Sequence, residues 1–260
     1  MTPRAAGDPV TAPAGARDAY ARLVLETMPE ESRVGLTLGF VRTFAVPGIA
    51  AVLHGTGRMT GAPKARGKAT GAAIFALIGH GPDSPQGRRV VAELRRVHDR
   101  PGITPELMHY VLACFTVCPL RFVDAHGPRP VTAAEREAAY AFHRQLADAL
   151  GLPGTPGPTA AADAAGTPGL PALEAWMAEF ERRSFAPSEA GRALWQATGG
   201  LLASRLPGPL ARLAPAVAAS LLDEPLRTAF GVRRPPAPVR ALVGGALRLR
   251  ARGRRRAALR

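Results

Sequence analysis

Cysteine is nearly absent: the 260 residues contain two, Cys114 and Cys118. Two cannot build a disulfide framework or a four-cysteine zinc site. They lie four apart in the apolar run LMHYVLACFTVCPL and read as small buried groups on one helix face. Aromatic residues make up 5% of the chain, too few to interleave with cations as nucleic-acid stacking platforms do. There is no Gly-rich phosphate loop after a strand, no HExxH, no paired Cys/His zinc spacing and no GxSxG. The commonest nucleotide, zinc and serine-hydrolase chemistries are thereby set aside. No uncharged apolar run reaches the roughly 18 residues of a spanning helix. The opening MTPRAAGDPVTAPAG lacks the apolar core of a signal peptide. The expected setting is therefore soluble and cytoplasmic.

What the chain does have is apolar mass and arginine. Hydrophobic residues are 47% and charged residues 21%, enough to bury a sizeable core. The net charge of +14 is almost all arginine, since Lys64 and Lys68 are the only lysines. Such an excess invites nucleic acid or an anionic membrane as partner, but its placement is uneven. After Glu224 no acidic residue follows, and eleven arginines lie in 225–260. A second acid-free window runs from Glu31 to Asp83 and holds Arg33, Arg42, Arg58, Lys64, Arg66 and Lys68. No DNA-reading motif accompanies the charge, so no specific nucleic-acid partner is expected.

Alternating strand patterns are nearly missing, and helical spacing dominates. Residues 1–15 read as a loose Pro/Ala/Gly arm. Helices are predicted over 16–28, through the apolar 35–53 with a break at Pro47, and over 64–78. Ser84-Pro85 and Thr104-Pro105 are cap-and-start signals for helices ending near His98 and Phe122, the second kinked at Pro119. Thr132-Ala-Ala-Glu135 is a capping box, which accounts for Glu135 without a catalytic role, and Gly151 is the matching stop. Residues 153–169 form a low-complexity loop. Further helices are predicted at 171–184, 188–205, 207–222 and after Pro238. The fold class is all-α, one domain over 16–250, with a basic tail at 251–260 that is solvated and frayed.

Chemistry-bearing residues are polar groups set in apolar helices. Arg42 and Thr43 interrupt GFVRTFAVPGIA, where a buried cation costs several kcal/mol, on the order of a lost ion pair, unless an anion meets it. Arg66 and Thr70 are four apart on one helix face that continues into Ala73 and Ile74. Both pairs lie in the acid-free window, so no carboxylate nearby in sequence serves them. His98 ends an amphipathic helix, while His54 and His109 are rival metal ligands. His126 and His143 read as surface residues and His80 as a loop residue. Together these suit an anionic cofactor.

The ordered set FVRTFAVPGIAAVLHGTG, Arg66-x-x-x-Thr70, RVH ending at His98, ITPELMHYVLACFTVCPLRF, VTAAER and LLDEPLRTAFGV resembles the MpaB/latex-clearing-protein (rubber oxygenase) family from about residue 35 to 250. The resemblance implies a multi-helix bundle enclosing a b-type haem. His98 would ligate its iron, Arg66 and Thr70 would form the catalytic pocket pair, and Arg42 and Thr43 would support the cofactor. It also implies O₂ as co-substrate and a small hydrophobic substrate, isoprenoid or polyketide-derived, cleaved at a carbon–carbon double bond. In the rubber-cleaving branch a lysine directly precedes the pocket threonine; here Ala69 stands there and cannot ligate iron. The alternative is a non-enzymatic helical protein that binds an apolar ligand, or an anionic membrane through the arginine-rich tail.

Overall fold

The computed structural model describes residues 19–154, 169–203 and 214–258. Among these residues every regular element is helical. In chain order they are α1 (Pro29–Arg42), α2 (Pro47–Gly55), α3 (Arg58–Gly61), α4 (Pro63–His80), α5 (Pro85–His98) and α6 (Pro105–His126). There follow α7 (Ala133–Leu150), α8 (Leu170–Ser184), α9 (Glu189–Ala203), α10 (Ala214–Ser220), α11 (Glu224–Phe230) and α12 (Ala237–Ala258). A π-helical turn, Leu23–Thr27, precedes α1, and a 3₁₀ turn, Thr43–Ala45, follows it.

The abundant proline sits largely where helices begin. α1, α2, α4, α5, α6, α8 and α11 all carry Pro in the first two positions, where an amide donor would have no intrahelical partner anyway. Ser84 Oγ accepts from Gly87 N at 2.8 Å and Thr104 Oγ1 from Leu107 N at 3.2 Å, so both predicted starts stand. Both halves of the Thr132/Glu135 capping box are made, and Gly151 closes α7 in the left-handed conformation at φ 72°. Pro47 turns the chain by 100° between α1 with its 3₁₀ turn and α2. Asp223, unread in sequence, caps α11 by accepting from Leu226 N at 3.1 Å.

The long central helix is α6. It is apolar and long enough to cross a membrane, yet 61% of that stretch is buried against other helices, so it is the core of the bundle. α1 lies against it more closely than side chains would permit. A Cβ on Gly35 would stand 2.3 Å from Pro119 Cα, and one on Gly39 would stand 2.5 Å from the Cys114 carbonyl oxygen. The spacing Gly35-x-x-x-Gly39 is thus a groove into which the backbone of α6 fits. Cys114 is buried and Cys118 half-buried, both as free thiols on that face. Tyr20, Leu23, Val24 and Met28 join α6, α7 and α8 in one core, while Phe44, Met59, Leu194, Trp195 and Phe230 form a second.

The C-terminus departs from expectation. Rather than a frayed tail from residue 251, α12 continues to Ala258 and is tied down. Arg254 reaches Glu31 Oε2 at 2.5 Å and Thr27 O at 3.0 Å, Arg250 reaches Glu30 at 3.3 Å, and Arg255 donates to Pro128 O at 2.7 Å. The physical reason is Glu31, a carboxylate only 4% exposed that requires a cation. The tail's charge serves the start of α1, more than 200 residues away in sequence. Of the predicted 153–169 loop, 155–168 lie outside the described residues, as do residues 1–15 and the ends of the predicted 188–205 and 207–222 helices.

Candidate functional site

α4 carries the acid-free window, and its helical period decides what it presents. Lys64, Gly67, Lys68, Gly71, Ile74 and Phe75 recur at three- and four-residue steps and so share a face. Opposite stand Arg33, Thr37 and Phe40 of α1, at steps of four and three, and Phe115 of α6. Between them lies a cavity of about 480 Å³ that also touches Thr70. Its floor is aromatic: the Phe40 and Phe115 rings are stacked with centroids 6.4 Å apart, and Phe40 meets Phe44 edge-on at 5.0 Å. Its rim is cationic, with Arg33, Lys64 and Lys68, the Arg33 guanidinium lying 5.6 Å from the Phe75 ring centre. An apolar floor with a cationic rim suits an amphiphilic anion, and the volume falls within the ~300–1,000 Å³ of small-molecule and cofactor sites.

Arg66 and Thr70 meet as their spacing predicts. Arg66 Nη1 donates to Thr70 Oγ1 at 3.0 Å, and that hydroxyl donates onward to the Arg66 carbonyl at 3.1 Å. Among the described residues Arg66 has no carboxylate partner. Burial and the nearby Arg58 pull its pKa down, the mark of a cation without its anion.

His98, last residue of α5, is half-buried beside α4. Its Nδ1 lies 2.7 Å from the Leu94 carbonyl. A carbonyl only accepts, so Nδ1 carries the proton and the lone pair is on Nε2. Burial lowers the imidazole pKa most, the Leu94 bond opposes this, and the charges of Arg66 and Arg100 add to the lowering. His98 is therefore a neutral imidazole with one oriented free lone pair, which is what a metal-ligating histidine requires.

Arg42 and Thr43 are placed elsewhere. Arg42 Nε and Nη2 grip Glu181 at 2.5 and 2.6 Å, and Nη1 binds Asp223 at 2.5 Å. Tyr110 Oη donates to the same Glu181 at 3.1 Å. Burial alone would lower the Arg42 pKa, but Glu181 and Asp223 outweigh it and raise it. Thr43 Oγ1 is spent on the Phe40 carbonyl at 2.7 Å. The anion Arg42 needs is supplied by α8 and the α11 cap, and the Thr43 hydroxyl is held by a carbonyl one turn back.

One further histidine differs from its reading. His143, read as a surface residue, is 1% exposed; it follows Ala139 by four and precedes Leu146 by three, a buried stripe that the helical period could have revealed. His109 is 5% exposed and its Nε2 lies 3.1 Å from Pro153 O. His54 is exposed at the end of α2. Of the three, His98 has its imidazole within electrostatic reach of Arg66. No cluster of three or more His, Cys, Asp or Glu able to hold a bare metal ion occurs among the described residues. The rim residues Arg33, Lys64 and Lys68 were read only as members of the acid-free window, and the Phe40/Phe115 ring pair was not read from sequence; Arg33-Thr37-Phe40 at helical steps was the available signal.

These features define a helical domain with a cation-rimmed cavity on one face of α4 and a pre-oriented imidazole within electrostatic reach of Arg66 on the same helix. Residues 31–253 match the family described as "ER-bound oxygenase mpaB/B'/Rubber oxygenase, catalytic domain", and the chain belongs to that family. It is similar to the ER-bound oxygenase mpaB of Penicillium roqueforti (strain FM164), 27% identical over 197 residues, covering 73% of this chain and 66% of that one. It is also similar to mpaB and mpaB' of Penicillium brevicompactum. The first is 28% identical over 177 residues, 65% of this chain and 45% of the relative. The second is 25% identical over 197 residues, 73% of this chain and 46% of the relative. The chain thus spans less than two thirds of the length of each relative.

Proposed function

We propose that the protein is a haem b-dependent oxygenase that uses O₂ on a small hydrophobic substrate of isoprenoid or polyketide character, with cleavage of a carbon–carbon double bond as its reaction. The observation that carries this reading is His98, neutral and with its Nδ1 proton fixed on Leu94 O, beside Arg66, a half-buried cation with no carboxylate of its own. The donor set suits the group: haem b asks for one imidazole, cations for its two propionates and an apolar enclosure.

In that assignment His98 Nε2 is the iron ligand, and the Leu94 carbonyl holds the ring's tautomer and rotation. Arg66 neutralises a carboxylate, while Lys64 and Lys68 stand on the cavity face of the same helix. Thr70 Oγ1 holds Arg66 in place and offers the one hydroxyl on α4 that borders the cavity. The bound haem supplies the O₂ chemistry. The Phe40/Phe115 floor matches an apolar chain in polarity. Ala69 brings no ligand of its own, while Lys68, one position earlier, is on the cavity wall.

The test is the absorption spectrum of the purified chain supplied with haem. A Soret band is expected, lost or strongly shifted in His98→Ala, while His109→Ala leaves it in place. Haem retention should fall far more in Arg66→Ala than in Arg58→Ala. An unchanged band in His98→Ala would sink the ligand assignment, and equal retention in the two arginine variants would sink the propionate role.

A further inference from the structure

α12 carries seven arginines, Arg240, Arg248, Arg250, Arg252, Arg254, Arg255 and Arg256, and no acidic residue. Its inner face is docked through Val243, Leu247 and Arg254, and only Arg250 and Arg254 find carboxylates among the described residues. At 100° per residue the opposite face is Leu242, Gly245, Leu249, Arg252 and Arg256. Leu242 is 51% and Leu249 72% exposed, two of the three large apolar side chains that the described residues leave exposed. A row of leucines one heptad apart, continued by unpaired arginines, is an amphipathic face with nothing on it.

We propose that this face of α12 docks onto an anionic lipid bilayer. Charge complementarity selects the partner: three arginines on and beside the face, Arg248, Arg252 and Arg256, lack a carboxylate, and an anionic membrane surface supplies many weak ones. The leucines select lipid over nucleic acid, because duplex phosphates offer no apolar phase for Leu242 and Leu249, whereas interfacial helices seat such residues at the acyl boundary. The docked side also places the face near the cavity. Glu30 accepts from Arg250 at 3.3 Å and from Arg33 at 3.2 Å, and Arg33 is a rim residue. A membrane-bound α12 therefore brings the cavity's α1 rim close to the phase in which apolar substrates dissolve. That last step rests on the oxygenase reading; lipid binding itself does not.

The test is sedimentation of the full chain with vesicles of phosphatidylcholine alone and of phosphatidylcholine with 30% phosphatidylserine, a composition chosen for about −30 mV or more of surface potential. Binding is expected to the anionic vesicles and to be weakened by salt. Arg252→Gln/Arg256→Gln should weaken it about 25-fold, taking ~1 kcal/mol per arginine at such a surface. Leu242→Ser/Leu249→Ser should weaken it at least roughly tenfold, since each leucine loses apolar burial. All four side chains face solvent, and an unchanged melting temperature confirms that each variant is folded. Anionic binding that ignores the leucine pair overturns the docked face in favour of diffuse charge attraction. Tight binding to a DNA duplex without vesicle binding overturns the lipid assignment. Both readouts are independent of haem, so a chain that docks without a Soret band separates this inference from the oxygenase reading.

Discussion

Removing the Arg42 guanidinium should destabilise the fold while leaving the proposed haem site intact. In Arg42→Met, Glu181 remains at 9% residue exposure with only the Tyr110 hydroxyl left to it. Breaking a buried pair by deleting one partner costs about 3–5 kcal/mol, because the remaining charge is uncompensated. The Asp223 contact adds little, that carboxylate being 44% exposed at its side chain and able to turn to water. For a domain of this size, about 1 kcal/mol moves the melting temperature by ~2–4 °C, so a drop of roughly 6–20 °C is expected. The double variant Arg42→Met/Glu181→Leu replaces the pair with apolar volume and should recover most of that loss. Differential scanning calorimetry on the three variants, with haem uptake read alongside, tests the reasoning. Arg42→Met that melts like the wild type but fails to take up haem would refute it and return Arg42 to the cofactor.

Other elements make equally direct predictions. Gly39→Ala drives a methyl to 2.5 Å from the Cys114 carbonyl and should cost about 1–3 kcal/mol by urea unfolding, whereas Gly245→Ala, with nothing within 4 Å, should be neutral or stabilising; equal effects would deny the close α1–α6 approach. Arg254→Ala strands buried Glu31 and should lower stability by roughly 1–3 kcal/mol, while an unchanged melting curve would mean that α12 is not docked. His143 is held neutral by burial first and by the neighbouring His109, its pKa lowered to about 4. The unfolded imidazole titrates near 6.5 and so binds the extra proton below that pH. The stability His143 confers is therefore complete above pH 6.5 and is lost as pH falls toward 4, by about 3 kcal/mol over the window. His143→Phe should flatten the difference in unfolding free energy between pH 7 and pH 4.5 by most of that amount. An identical slope in wild type and variant would remove His143 from the acid response.

Local structure was legible and distant pairing was not. Ser84, Thr104 and the Thr132/Glu135 box act within four residues of themselves, so sequence carries the whole of their physics, as it does for Pro47 and Gly151. The Arg66–Thr70 bond belongs to the same class, one turn of one helix. Arg42 is the instructive intermediate case. Its neighbours Phe40 and Phe44 showed that an anion must meet it, but Glu181 and Asp223 stand 139 and 181 residues further on, and only the packing of α1 against α8 and α11 selects them. The docking of α12 onto Glu30 and Glu31 was hidden for the same reason. His143 was legible in principle, lying on the Ala139/Leu146 stripe, and was misread by weighing the residue type above its helical period.

Comparing the two internal arginines shows why an arriving anion would be held at one and not at the other. Both sit in the same acid-free window, and both are drawn from water. The Arg42 pKa is raised because Glu181 and Asp223 overcome the cost of its burial; that of Arg66 is lowered because burial and Arg58 act unopposed. A buried cation already holding two carboxylates has no capacity for a ligand, and taking one would strand Glu181. A half-buried cation held only by a neutral hydroxyl still lacks a counter-charge, and any anion that arrives gains the interaction without breaking another. The fold thus fixes Arg42 by satisfying it and keeps Arg66 available by withholding a carboxylate, one turn from the cavity wall and within electrostatic reach of His98.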